Sequence, residues 1–520
     1  MAADSYDAGY QSNAGKTNAV QSFGAEKSKE ARGITYADEE SYHPYDEYST
    51  EEYKDIEESG FKMVKNSPLS TFSADVDTAS YSNLRRMIND GYRMEDIPAG
   101  AVRIEEMINY FDYHYKSPRG SDPFSVTTEI GDCPWNQDTK LMMVGIASEE
   151  VSLDEIKGNN LVFLLDVSGS MSDEDKLPLL QKAFSMLADN LTENDCVSIV
   201  TYAGDDRIVL EGASGSNSRK IKKAINNLEA GGSTAGSKGI KTAYKIAEEY
   251  YIKGGNNRVI LATDGDLNVG LTSESELASL IEEERETGIF LSVLGFGTDN
   301  IKDNKMETLA DKGNGNYAYI DGVREAKKVL VDEMGATLLT IAKDVKFQVE
   351  FNPAIVKGYR LIGYDNRALA AEDFNDDKKD AGEVGAGHSV TALYEIVTVE
   401  DDMPKDTGID LKYQDNNQTS KETQRYSKDM EWLTVSIRYK KPSASKSELM
   451  EIPVTGKSYV RNNSDSFYFA AAVAEFGMLL KNSEYKESIS CADVIDLLEQ
   501  SDIRGDEYKE EFYELVDLMR

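Results

Sequence analysis

Between residues 160 and 343 short apolar runs alternate with amphipathic stretches at helical spacing, a pattern that few folds can satisfy. The runs are 161–165, 197–202, 208–210, 259–262, 289–294 and 317–320. Between them stand Leu180, Phe184, Leu187 and Leu191; Ile221, Ala224, Ile225 and Leu228; Ile240, Ala243, Tyr244 and Ala247; and Leu277, Leu280 and Ile281. A strand that is apolar without alternation is buried on both faces. Such strands alternating with helices predict a mostly parallel, doubly wound sheet in a three-layer α/β domain, placed at 159–343.

The flanks read differently. Two amphipathic stretches, through Tyr81, Leu84, Met87 and Ile88 and through Val102, Ile104, Met107, Ile108 and Phe111, predict helices, and runs 124–130 and 141–146 predict a strand pair. Together they make an N-terminal helical and β region at 61–158. Strand-like runs return at 345–351, 359–364, 390–399 and 432–439, giving a C-terminal β region at 344–440, followed by a linker and helices at 441–520 broken near Asn482 and Gly505. Because β runs flank the alternating unit on both sides, that unit is expected to be an insertion in one β-sandwich, with Val126 packing against strands beyond Val345.

Residues 1–60 hold scattered tyrosines, Tyr36, Tyr42, Tyr45, Tyr48 and Tyr53 among them, and almost no aliphatics, so they are expected to be a disordered acidic tether. No basic, then apolar, then small-residue signal opens the chain. No apolar run reaches the roughly 18 residues of a membrane-spanning helix. Across 520 residues, 57 Lys and Arg stand against 94 Asp and Glu, a formal charge of -37 that repels phosphate backbones, so nucleic acid is not the expected partner. Cys133, Cys196 and Cys491 form no Cys-x-x-Cys pair, and neither a disulfide framework nor a zinc site follows from them.

In an open parallel sheet the ligand crevice lies beyond the carboxyl ends of the strands. The first of these ends in Asp166-Val167-Ser168-Gly169-Ser170, a later loop carries Thr234, and the run from Val259 ends in Thr263-Asp264-Gly265. Two carboxylates and three hydroxyls make a hard, all-oxygen, partly neutral donor set. It suits Mg²⁺, with Mn²⁺ or Ca²⁺ as alternatives. With few anionic ligands the ion stays electrophilic, and an open position takes a carboxylate from another molecule.

Asp-x-Ser-x-Ser, a distal Thr and Thr-Asp-Gly resemble the metal-ion-dependent adhesion site of von Willebrand factor type A domains. The resemblance implies Ser168, Ser170 and Thr234 as direct ligands, with Asp166 and Asp264 acting directly or through water. From about residue 69 onward the chain also resembles a bacterial cell-envelope family in which this domain sits between dedicated N- and C-terminal regions. The phrases that carry this match begin at Phe72 (Phe-Ser-Ala-Asp-Val-Asp-Thr), Arg103 (Arg-Ile-Glu-Glu-Met-Ile) and Lys312 (Lys-Gly-Asn-Gly-Asn-Tyr). That resemblance implies an envelope or extracellular location and, often, a lipoprotein; the lipid-accepting Cys of an N-terminal membrane tether is missing ahead of the tether.

Other motifs fall short. Residues 231–238 approach a phosphate loop, but Ser237 stands where its Lys is required. Gly232-Ser-Thr-Ala-Gly236 mimics a nucleophile elbow without a base, since His43, His114 and His388 all lie outside the alternating unit. Asp373, Asn375, Asp377 and Asp380 resemble a calcium loop, but Lys378 occupies the place of its Gly. Asp205 and Asp206 are expected to cap a turn. The expected function is therefore non-catalytic, metal-dependent binding of a protein ligand that supplies a carboxylate. The alternatives are a structural or assembly subunit with a vestigial metal site and a metal-assisted hydrolase.

Overall fold

The computed structural model describes residues 51–520 except 55, 75–76, 121, 151–156, 204, 233–236, 266–273, 299–300, 334–338, 380, 402, 404–427 and 443. In chain order, strands β1 (Lys62–Met63) and β2 (Leu69–Ser73) precede helices Ala79–Asn89 and Ile104–Asn109, then β3 (Phe124–Asp132) and β4 (Lys140–Ser148). The central unit contributes β5 (Asn159–Asp166), β6 (Cys196–Ala203), β7 (Asp205–Ser214), β8 (Asn256–Thr263), β9 (Phe290–Phe296) and β10 (Tyr317–Ile320). After it come β11 (Thr340–Phe351), β12 (Val356–Ile362), β13 (Val384–Gly385), β14 (Ser389–Thr398), β15 (Glu431–Lys440) and β16 (Glu448–Thr455). Helices Asp465–Leu480, Cys491–Leu498 and Glu507–Leu518 close the chain.

The central sheet runs β10-β9-β8-β5-β6-β7, parallel except for the antiparallel edge strand β7. Strand β5 shows why its sequence is apolar throughout. Leu161, Phe163 and Leu165 face one helical layer with Leu180 and Phe184, while Val162 and Leu164 face the other with Ile240 and Tyr244. The chain leaves β5 first toward β6 and then returns on its other side as β8, so the strand order reverses beside β5. That reversal opens the crevice at the carboxyl ends of β5 and β8.

The flanking segments build one sandwich from both sides of the insertion. β4 pairs with β3 on one side and with β14 on the other, and β2 pairs with β11. Val126 packs against the core shared by Val345, Phe347 and Val349, as the flanking β runs predict. Strand β4 is buried on both faces as well: Met142, Val144 and Ile146 enter the sandwich core, whereas Leu141 and Met143 enter a helical core with Met107, Phe469, Phe476 and Phe512.

Two expectations are corrected. Residues 441–520 are not linker and helices alone, because β16 pairs with β15 along its length. Its side chains are exposed or half-buried except for buried Val454, and they include Pro453, the weak pattern of an edge strand. The tether does not extend to residue 60 either. Glu58 pairs with Arg360 at 3.1 Å and accepts from Ser483, the Ser59 amide donates to Asp365 at 2.8 Å, and the Tyr53 hydroxyl accepts from Asn83 at 2.7 Å. Limited proteolysis is therefore expected to leave Tyr53 and Glu58 in the resistant product; mass spectrometry of that product, with cleavage after Tyr53, would contradict the docking. The other tyrosines assigned to the tether lie outside the described residues.

Three arginines, Arg85 and Arg103 buried and Arg367 half-buried, fasten the central unit to its flanks. Arg85 pairs with Asp321, Glu325 and Glu511; Arg103 with Asp303 and Glu106; Arg367 with Asp77, Glu307 and Asp311.

Candidate functional site

Strand β5 delivers Asp166 at its last position, beside Thr263 at the end of β8, because Leu165 is registered with Ala262. Asp166 is fully buried. Its Oδ1 accepts the Ser168 amide at 2.8 Å, a short side-chain turn that bends the chain out of the strand. Its Oδ2 lies 3.5 Å from Thr263 Oγ1. Residues Gly169–Ser172 then make one tight 3-10 turn, anchored below by buried Met171. The turn brings the Ser168 and Ser170 hydroxyls to 2.9 Å from each other. Asp264 follows directly, 1 % exposed. Gly265 next to it has φ +98, a left-handed turn residue whose amide donates back to Thr263 Oγ1 at 3.2 Å. Burial, together with the neighbouring Asp264 charge, pushes the Asp166 carboxyl up to about 6 against the hydrogen bonds from Ser168.

Four of the five sequence-predicted ligands, Asp166, Ser168, Ser170 and Asp264, thus meet at the carboxyl ends of β5 and β8. The fifth, Thr234, lies outside the described residues. The loop leading to it is held against the Asp166 turn: the Gly231 amide donates to the Val167 carbonyl at 2.8 Å, and the Gly169 amide to the Gly232 carbonyl at 3.3 Å. Gly232 is required there. At φ +92 a side chain is strained, and a Cβ would stand 2.7 Å from the Ala203 carbonyl oxygen.

The donor set fits a small hard cation, with two buried carboxylates and neighbouring hydroxyls offering oxygen only. Among the described residues no three His, Cys, Asp or Glu side chains converge on one point. A cation bound here would therefore take the serine hydroxyls as neutral donors beside the two carboxylates. One residue that the sequence reading missed also reaches it: the Lys176 ammonium lies 3.4 Å from Asp264 Oδ2. In the sequence Lys176 closes the string Asp173-Glu174-Asp175 and looks like part of a solvated charge run.

Of the remaining candidates, residues 233–236 and Asp380 lie outside the described residues, and the others make structural contacts. Asp206 accepts from Thr242, tying β7 to the helix Ser237–Glu249. In the acidic loop after β12 the Lys346 ammonium donates to the Asp373 and Asp376 carbonyls and Lys440 to that of Asp377, so lysines fasten the segment that resembled a calcium loop.

A doubly wound sheet with paired serines and aspartates at its switch point defines a von Willebrand factor type A domain, and the family model of that description matches residues 160–330. A model described as von Willebrand factor matches 47–143, which takes in the docked segment around Tyr53, and one described as Uncharacterized protein YfbK, C-terminal, matches 336–520. Uncharacterized protein YfbK of Escherichia coli is 41% identical over 480 residues, covering 90% of this chain and 81% of that protein. The chain belongs to the YfbK family of von Willebrand factor type A domain proteins. Uncharacterized protein sll0103 of Synechocystis is 31% identical over 189 residues, 36% of this chain and 43% of that protein. Among solved structures, a von Willebrand factor type A protein from Catenulispora acidiphila is 15% identical, covers 78% of this chain and 91% of its own, and superposes with a TM-score of 0.41.

Proposed function

We propose that this protein binds a protein partner, without turnover, through a divalent ion, Mg²⁺ foremost, held by Asp166, Ser168, Ser170, Thr234 and Asp264. The observation that carries the reading is the convergence of the Ser168 and Ser170 hydroxyls, 2.9 Å apart, beside two buried carboxylates at the switch point of the sheet. When bound, the ion supplies an electrophilic position that an Asp or Glu of the partner fills. The chain's own residues do the rest. Asp166 fixes the turn through the Ser168 amide, Met171 anchors it from below, and the Gly231–Gly232 contacts hold the neighbouring loop against it. Among the described residues His114 and His388 stand outside the central sheet, so neither serves its hydroxyls as a general base. We further propose an envelope or extracellular location, with an N-terminal lipid anchor as the membrane tether; the family resemblance is what supports that part of the reading.

The test replaces Ser168 and Ser170 together by Ala. Both lie outside the strand, so the fold is expected to persist and the variant to melt like wild type in chelator. At Mg²⁺ one hundredfold above its Kd, wild type gains about 2.7 kcal/mol of stability. The variant gains none, and its capture of partner from an envelope fraction falls to the chelator level. A variant that still gains from Mg²⁺ overturns the metal site. Partner capture that survives both chelation and the double substitution moves recognition to the sandwich and helices, making the protein an assembly subunit.

A further inference from the structure

Lys176 stands immediately before the helix Leu177–Asp189 and is 5% exposed. Its stem crosses Gly297, just beyond the end of β9. A Cβ at that position would come within 2.4 Å of the lysine Cε, and Gly297 itself sits at φ +78, so a glycine there leaves the channel through which the side chain passes. The channel leads the ammonium to Asp264 Oδ2 at 3.4 Å, with the exposed Asp173 carboxylate farther off at 3.8 Å. A buried ammonium is costly unless an anion faces it, and here one of the two buried carboxylates at the site does so. The chain thus carries a cation of its own into the place where the donor set fits a metal.

We propose that Lys176 is a fixed internal counter-ion that tunes the metal site: it weakens the intrinsic hold on a divalent cation and leaves a bound ion short of negative charge, so that an external carboxylate is needed to complete it. This rests on the metal-dependent reading above. Asp166 and Asp264 alone bring two formal negative charges; with Lys176 the trio brings one. Charge and not shape is the operative quantity. An ion held by one net negative charge gains more from an incoming carboxylate than an ion already neutralised by two. Lys176 is therefore a tuning residue and not a ligand, since an ammonium offers donors only.

The experiment is direct Mn²⁺ binding to the full chain, read by electron paramagnetic resonance of free Mn²⁺ at fixed ionic strength, for wild type, Lys176→Met, and Ser168→Ala with Ser170→Ala. Methionine keeps most of the stem's length and removes the charge. The expected result is Mn²⁺ binding roughly tenfold tighter in Lys176→Met than in wild type, as removal of a unit charge a few ångströms from the site implies. Acetate added at millimolar concentration is expected to tighten Mn²⁺ binding in wild type and to do so less in Lys176→Met. Binding in Lys176→Met where wild type binds none supports the proposal still more strongly. Equal or weaker binding in a Lys176→Met protein that melts like wild type in chelator overturns it while leaving the metal site intact. Lys176→Gln carries the same reading if methionine perturbs the fold. Failure of wild type and Lys176→Met alike to bind Mn²⁺ more tightly than the double serine variant overturns the metal site, and this proposal with it.

Discussion

Arg85→Met is expected to lower the unfolding free energy by about 3–5 kcal/mol, the range for breaking a buried ion pair from one side. The guanidinium is 3% exposed and meets Asp321 through two bonds at 2.6 and 2.7 Å, Glu325 at 2.7 Å, Glu511 at 2.9 Å and the Tyr110 hydroxyl at 2.9 Å. These partners come from three parts of the chain: the end of the central unit, the last helix and the N-terminal helical region. Removal of the cation leaves three carboxylates facing one another. Glu325 is itself buried, and burial already raises its pKa while Arg85 lowers it, so its charged form loses its principal support. The measurement is a urea titration, in which the midpoint should fall with the slope unchanged. Arg93→Met is the control. Arg93 pairs with Glu95 and Asp96 on the exposed surface, and its loss should leave the midpoint in place. Equal midpoints for Arg85→Met and wild type would show that the arginine does not clamp these segments.

What the sequence made legible follows from how each element is buried. Strands β5 and β8 are covered on both faces, so they read as unbroken apolar runs that stop at Asp166 and Thr263, and both the sheet and four of its candidate ligands could be located from that pattern. Strand β16 lies at a sheet edge with one face half-exposed, and its residues from Glu448 to Thr455 look like linker. The segment around Tyr53 and Glu58 docks through polar partners, Asn83, Arg360 and Ser483, so a reading that counts aliphatic residues misses it. Buried charges are the least legible of all. Arg85, Arg103, Arg360 and Lys176 have the same local surroundings in sequence as surface charges, and only partners distant in sequence, among them Asp321, Asp303, Glu395 and Asp264, reveal what they hold.

Glu475 leads to the second large effect. The helix Asp465–Leu480 is apolar on all sides from Phe467 onward, which is why it lies inside the helical core with Phe469, Val473 and Phe476; Glu475 interrupts that run and is 1% exposed. Its Oε2 has no hydrogen-bond partner among the described residues. Burial, reinforced by the Asp493 charge, pushes its carboxyl up to about 8. An unfolded glutamate titrates near 4.3, so between about pH 4.3 and 8 the native state holds a proton that the unfolded state has released. Stability contributed by the protonated carboxyl is fully present below the unfolded pKa, declines as pH rises through this window, and is lost above about 8. Glu475→Gln keeps the side chain's shape and removes the titration. At pH 4 the two proteins should have nearly equal stability, whereas at pH 9 the glutamine variant should exceed wild type by on the order of 5 kcal/mol. Urea midpoints taken at intervals from pH 4 to pH 9 would trace the difference. A constant difference across that range would mean that Glu475 does not titrate inside the window, and that its carboxylate finds in the folded chain a solvation which its place in an apolar helix does not provide.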